Sequence, residues 1–413
     1  MSSTDLTPVR RRRVFYIPGY DPFPPRRYRE LYRTEAAEQA RVSGYEIAVA
    51  PQRKEAGFGW HVTSQIDGQA VDADIEVLVW SDIVQASRPQ SISRTYLDLL
   101  RTAWIYISTG ALFRLMRLRK GPVIAALYPV LALVVQAFLA GGVFYAVLWL
   151  GVFAGAQISG AGLVGLLFGA VLGGWLAWRL LRWFQKHDGR FFAYYLMHDF
   201  AYSAAQYGAY PPQLEGRLAD FRETIVASLA SNVDEVLLVG HSSGAHLGVS
   251  ILADMIRAGE LPEDGPALAF LSLGHVVPMV SFLPNADRLR GDLRLLSRSS
   301  AITWVDVTAP GDGCCFALCD PVSISGQATE AKRGPLVFSA AFTQSLSPAK
   351  QKALRWRFFR LHFQYLCAFD HPKDYDYFQI TAGPRLLSDR YAGRAASRSR
   401  FERAMSKYTS VRP

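Results

Sequence analysis

The chain has 413 residues, enough for one large α/β domain with an insertion or for two ordinary domains. Half of them are hydrophobic and the formal net charge is +10. No nucleic-acid-binding motif accompanies that charge, so no nucleic-acid partner is expected; attraction to anionic lipid head groups accounts better for the basic patches Arg10–Arg13 and Arg26–Arg33.

In chain order, Val14 to Ile17 reads as a buried strand ending in the turn Pro18-Gly19. Pro24 to Val42 carries helix formers and charges, and Tyr45 to Ala50 is a second strand. Trp60 to Ile66 and Ala70 to Asp74 flank Asp67-Gly68, a hairpin signal, and Ile75 to Trp80 is a further strand. Ser91 opens a helix that runs towards Lys120 and ends in Arg114, Arg117, Arg119 and Lys120.

From Gly121 to Trp178, about 58 residues, there is no Asp, Glu, Lys, Arg or His. One bilayer crossing needs ~20 apolar residues, so two fit, at Val123 to Leu150 and Gly162 to Leu181, joined by a small polar turn at Gly155 to Gly160. Arg179, Arg182 and Lys186 follow the second crossing, so both basic flanks lie on one side, and the positive-inside rule puts that side in the cytoplasm. Trp175, Trp178 and Trp183 suit the interfacial belt. Small residues recur every fourth position at Ala161, Gly165, Gly169, Gly173 and Ala177. That face admits close approach of another helix. The partner is either the first crossing, at Ala140, Gly141 and Gly142, or a second copy in a homo-oligomer.

Beyond the membrane run, helical stretches (Phe191 to Tyr207, Leu214 to Ser231, Ser243 to Ala258, Ala286 to Ser297) alternate with strands (Glu235 to Val239, Ala267 to Leu273, Ala301 to Val307). Such alternation predicts a mostly parallel, doubly wound α/β sheet. The chain divides accordingly into residues 1–120 and 182–413, two parts of one α/β domain, with a transmembrane helical hairpin at 121–181 between them. The cysteines, Cys314, Cys315, Cys319 and Cys367, form neither a disulfide framework nor a zinc motif, and are expected to be reduced thiols in a cytosolic domain. No secretory signal is visible; the apolar run after Arg13 is too short for one.

Gly240-His241-Ser242-Ser243-Gly244 lies between the strand Val236-Leu237-Leu238-Val239 and a helix beginning Ala245-His246-Leu247-Gly248. A serine there sits on a cramped strand-to-helix turn, which needs small neighbours, and the helix N-terminus favours negative charge developing during attack. With this Val-Gly-His-Ser-Ser-Gly-Ala segment and the ordered strands and helices around it, the chain resembles the α/β-hydrolase superfamily over residues 14 to 80 and 187 to about 390.

The resemblance implies a chain order of nucleophile, acid, histidine. Ser242 is then the nucleophile. Asp312, in Ala309-Pro310-Gly311-Asp312 after the strand Ala301 to Val307, is the preferred acid, with Asp320 the alternative. Asp306 lies within the strand and is expected to point at a packed face. Two histidines remain downstream; His362 is preferred over His371, which sits in a polar turn before Pro372. His241 is expected to shape the pocket, and His246 and His275 to be structural. The oxyanion hole would draw N–H groups from Ser243 and from Gly19 or Tyr20.

These residues predict a membrane-anchored serine hydrolase that cleaves an acyl ester, a lipid-like one by its bilayer location, with no cofactor and no metal. An acyltransferase or thioesterase on the same fold is the first alternative and a catalytically silent membrane scaffold the second. The expected location is the inner (plasma) membrane, crossed twice, with the catalytic domain and both termini cytoplasmic.

Overall fold

Short runs rich in Val, Ile, Leu and aromatic residues, each closed by turn formers, build an eight-stranded sheet. In the computed structural model, which describes residues 8–21, 24–52, 57–87 and 91–412, the strands are β1 (Arg11–Ile17), β2 (Glu46–Pro51), β3 (Phe58–Ile66), β4 (Gln69–Val77), β5 (Glu235–His241), β6 (Ala267–Leu273), β7 (Ile302–Thr308) and β8 (Leu336–Ser339). Their order is β2-β3-β4-β1-β5-β6-β7-β8. Neighbours from β4 through β8 pair in parallel, and β3 runs antiparallel to both β2 and β4. The protein is therefore an α/β fold with a mostly parallel sheet. Asp67 (φ 52°) and Gly68 (φ 74°) form the two-residue β3–β4 turn, whose positive φ values match strand twist.

Three elements depart from expectation. The strands expected to end at Asp74 and begin at Ile75 are one strand, because no turn former separates them and Ile75 pairs with Trp60 on one side and Val14 on the other. The single helix expected from Ser91 to Lys120 is two, Ile92–Ser108 and Ala111–Leu118, broken at Gly110, whose φ of 72° no helix interior adopts. Strand β8 was not expected; four residues are too few for a periodicity to show, and only pairing with β7 defines it.

Side chains leave the sheet on both faces. On one, Val14, Tyr16, Leu237, Val239 and Leu271 pack with Tyr28, Tyr32, Tyr365 and Phe378. On the other, Leu238 and Phe270 reach Gly248 in the helix Gly244–Arg257, where a Cβ would meet the Phe270 ring at 2.7 Å. Two members of the Arg10–Arg13 patch serve the fold instead of lipid. Arg12 is buried, donating to Glu235 at 2.6 Å and to the carbonyls of Gly383 and Arg385, while Arg13 pairs with Glu76.

The chain divides into two units, one of Met1–Ala86, Thr109–Pro122 and Gln206–Pro413, the other of Ser87–Ser108 and Val123–Ala205. The second is wider than the expected hairpin at 121–181. The helices Ile92–Ser108 and Ala193–Ala204 join it because Leu99, Leu133, Ala193, Tyr194 and Met197 share one apolar cluster. Two of its helices, Lys120–Ala156 and Gly162–Lys186, are long and apolar enough to cross a bilayer, and large apolar side chains such as Phe138 (77 % exposed) cover their outer surface. The small-residue face is filled from within the chain. A Cβ on Gly165 would overlap the Gly151 carbonyl oxygen, one on Gly169 would lie 3.1 Å from Leu148 Cα, and one on Gly173 2.9 Å from the Phe144 carbonyl oxygen. The first helix thus meets it between Phe144 and Gly155. Gly141 and Gly142, expected at that contact, face open space.

Candidate active site

β5 is buried along its whole length and ends at His241, and the helix Gly244–Arg257 starts three residues later. Ser242 between them has φ 57°, a left-handed value that costs a non-glycine residue roughly 1–3 kcal/mol. Close packing enforces the turn. A Cβ on Gly240 would lie 2.6 Å from the Gly244 carbonyl oxygen, and one on Gly244 would overlap that of Ile17. The Ser242 N–H donates to the Leu273 carbonyl at 2.9 Å, pinning the turn to the end of β6. The residue itself is half-buried.

Asp312 follows β7, with its N–H bonded to the Ala309 carbonyl at 2.9 Å. Its carboxylate is buried. Oδ2 accepts from His362 Nδ1 at 2.7 Å and from the Tyr365 hydroxyl at 3.0 Å, and Oδ1 accepts from the Cys314 N–H at 2.8 Å. Burial alone would raise the Asp312 pKa; the charge and hydrogen bond of His362, with the Cys314 N–H and Cys315 thiol, outweigh it and hold the carboxyl below its ordinary value. The imidazole of His362 stands beside the turn, its ring centre 4.7 Å from that of His241. Its own backbone carbonyl accepts from His241 Nε2 at 3.0 Å. With Nδ1 committed to Asp312, Nε2 is the nitrogen left to exchange a proton. Neither Nε2 nor the Ser242 hydroxyl makes a hydrogen bond among the described residues. Such a contact commonly tightens only when substrate binds.

Gly19 approaches the serine from β1: a Cβ there would stand 2.9 Å from Ser242 Cβ and 3.3 Å from its Oγ. The backbone N–H groups of Gly19 and Ser243 have no acceptor among the described residues, as an anion-binding pair requires. The loop is fixed from outside. Trp80 Nε1 donates to the Pro18 carbonyl at 3.0 Å and the Tyr28 hydroxyl to Asp21 at 2.7 Å. Tyr20 is buried, with its ring against Trp80.

Asp320 and His371, the alternative acid and base, lie apart from this cluster. Asp320 caps the short helix Pro321–Ile324 by accepting from Val322 and Ser323 N–H groups, and pairs with Lys332 at 2.6 Å. His371 is exposed, with its N–H on the Ser345 carbonyl. Asp306 is buried and accepts from the Ser272 hydroxyl at 2.6 Å; burial pushes its pKa up to about 6. His241 and His246 are driven down to about 3, His241 by burial and the neighbouring His362, His246 by burial, so both are neutral at pH 7. His246 bonds the Tyr210 hydroxyl and His275 the Cys319 carbonyl.

Two contributors were missed. Tyr365 lies in the aromatic stretch after His362, and its three-residue spacing was the available signal. Gly274 (φ 52°) makes room for the histidine, since a Cβ there would stand 3.1 Å from His362 Cε1 and 2.7 Å from Tyr365. Asp312, Cys314 and His362 also place ligand atoms within 4.8 Å of one another, as a metal site would. Burial, then the adjacent Asp312, pushes the Cys314 thiol well above its ordinary pKa. Within that group the Asp312 carboxylate and the His362 imidazole hydrogen-bond each other directly at 2.7 Å. Comparison of the chain with protein-family models, with curated proteins and with solved structures returns no match.

Proposed function

We propose that this chain is a membrane-anchored serine hydrolase of the α/β-hydrolase type, acting on acyl esters. The observation that carries the reading is the buried 2.7 Å pair of His362 and Asp312 beside a serine held at φ 57° on a strand-to-helix turn. Few non-glycine residues adopt a left-handed φ, a strand-to-helix nucleophile turn calls for one, and here the serine lies by a partnered imidazole and two unpaired N–H groups.

In the mechanism, Ser242 Oγ attacks the ester carbonyl while His362 Nε2 takes its proton. Asp312 keeps the Nδ1 tautomer and offsets the imidazolium charge. The tetrahedral oxyanion is held by the N–H groups of Ser243 and Gly19. His362 returns the proton to the leaving alcohol, and water then repeats the sequence on the acyl-enzyme. The two long apolar helices favour a substrate with a long acyl chain, drawn from a bilayer. Arg114, Arg117, Arg119 and Lys120 before the first and Arg179, Arg182 and Lys186 at the end of the second favour a cytoplasmic α/β unit in an inner (plasma) membrane.

Fluorophosphonate labelling of washed membranes tests the chemistry. Ser242→Ala is expected to abolish the label and His362→Ala nearly to do so, with His371→Ala unaffected; undiminished labelling of Ser242→Ala overturns the reading. For the anchoring, a cysteine introduced at Ser159 is expected to react with reagents added from the non-cytoplasmic side.

A further inference from the structure

Two exposed segments of the α/β unit share an unusual composition. The helix Ala111–Leu118 buries Ala111, Leu115 and Leu118 and turns Phe113 and Met116 outward, beside exposed Arg117 and Lys120. The stretch from Lys352 to Arg360 exposes Trp356 (74 %) and Phe358 (50 %) between Lys352, Arg355, Arg357 and Arg360. No acidic residue occurs from Ala331 to Phe369 or from Leu99 to Gln185. The four cations around Trp356 have no carboxylate partner among the described residues; the Arg355 guanidinium lies over the Trp356 ring at 5.5 Å. Trp356 itself has φ 67°, a strained value for a bulky residue.

The two segments converge at one point. A Cβ on Gly121 would stand 3.3 Å from Gly313 Cα, and one on Gly313 would stand 3.5 Å from the Phe358 ring. Gly313 follows Asp312, and His362 is two residues beyond Arg360. The start of the long apolar helix at Lys120 and the basic aromatic stretch therefore flank the loop that carries the candidate acid.

We infer that these segments form a lip that docks the Ser242 site on an anionic lipid surface, with Trp356 and Phe358 in the head-group region and the arginines on lipid phosphates. Aromatic rings flanked by unpaired cations, and no acids, suit that interface, where apolar insertion and charge attraction add. Lys120 and Gly121, the first residues of the bilayer-length helix, belong to the same unit as the lip. This rests on the membrane-anchored reading, and its binding step is independent of ester chemistry.

The test uses the full chain in nanodiscs, either of phosphatidylcholine alone or with one phosphatidylglycerol for every two phosphatidylcholines. Tryptophan quenching by brominated acyl chains is compared between wild type and Trp356→Phe, the difference isolating Trp356. Expected are quenching of that share in the anionic discs, shielding from aqueous acrylamide, and loss of most of both in Arg355→Gln/Arg357→Gln/Arg360→Gln. A Trp356 share that is open to acrylamide and untouched by brominated lipid in both discs overturns the lip. In parallel, Trp356→Ser/Phe358→Ser is expected to lower turnover of a bilayer-borne long-chain ester about ten-fold relative to a water-soluble short-chain ester; an unchanged ratio also counts against it. If Trp356 is quenched and the wild type cleaves neither ester, the hydrolase reading fails and the lip stands. If both esters are cleaved without quenching, the reverse holds.

Discussion

Replacing Asp312 by asparagine isolates the contribution of one charge, because the side chains have the same shape. The carboxylate accepts on both sides, from His362 Nδ1 and the Tyr365 hydroxyl on Oδ2 and from the Cys314 N–H on Oδ1. An amide has one oxygen, so either orientation turns its NH2 towards a donor. If the NH2 faces His362, Nδ1 must become the acceptor, and the imidazole then carries its proton on Nε2. In that tautomer it cannot take the Ser242 proton. If the NH2 faces Cys314, two donors meet at 2.8 Å in a buried site. The expected loss is about 10³–10⁴-fold in kcat, or roughly 4–5.5 kcal/mol of transition-state stabilisation. A stability cost of about 1–3 kcal/mol is expected alongside, from the unsatisfied buried group. The assay is hydrolysis of a soluble chromogenic ester by detergent-solubilised protein across pH, with Asp320→Asn as the control, since Asp320 serves as a helix cap. Asp312→Asn within ten-fold of wild type, or Asp320→Asn falling as far, would refute the assignment of Asp312 as the acid.

Gly19→Ala puts a methyl group 2.9 Å from Ser242 Cβ, and displacing the loop would withdraw the proposed oxyanion donor; kcat should fall about 10²-fold, whereas Gly44→Ala, in open space at φ 73°, should cost about 1 kcal/mol of stability and no activity. Asp306 has a folded pKa of about 6 against an ordinary 3.8, so its ionised form is the one that folding disfavours. Its penalty is absent below pH 4, grows as pH rises to about 6 and then stays at roughly 3 kcal/mol; the melting temperature of Asp306→Asn should gain on wild type across that window and not below it. Within the hairpin, Gly165→Leu should loosen the helix pair by about 1–3 kcal/mol or more, seen as faster protease cleavage in detergent, while Gly141→Leu, which faces open space, should not.

Much of the fold was legible locally. A strand such as Ala267–Leu273 is an apolar run interrupted by Ser272 alone and bounded by turn formers, and its ends were placed to the residue. The long apolar helices needed only length and the absence of charge. Where the reading departed from the structure, a neighbour decided. β4 is one strand because Ile75 has partners on both sides, and Leu336–Ser339 is a strand only because Val305 lies beside Leu336. The role of Arg12 changed for the same reason. In sequence it belongs to a basic run, and in space it meets a buried Glu235 from a strand more than two hundred residues away.

For the site, sequence by itself determined the serine turn, since Gly240, Ser242 and Gly244 are local requirements of a cramped strand-to-helix connection. It also supplied the apolar hairpin and a short set of downstream acids and histidines. Which of those meet was decided only by tertiary structure: Asp312 and His362 are separated by fifty residues of chain yet lie 2.7 Å apart, while Asp320 went to a helix cap and His371 to the surface. Hydrogen-bonded pairs of that kind are set by where the chain after β7, which carries Asp312, meets the chain after β8, which carries His362, and no spacing along a chain encodes that distance.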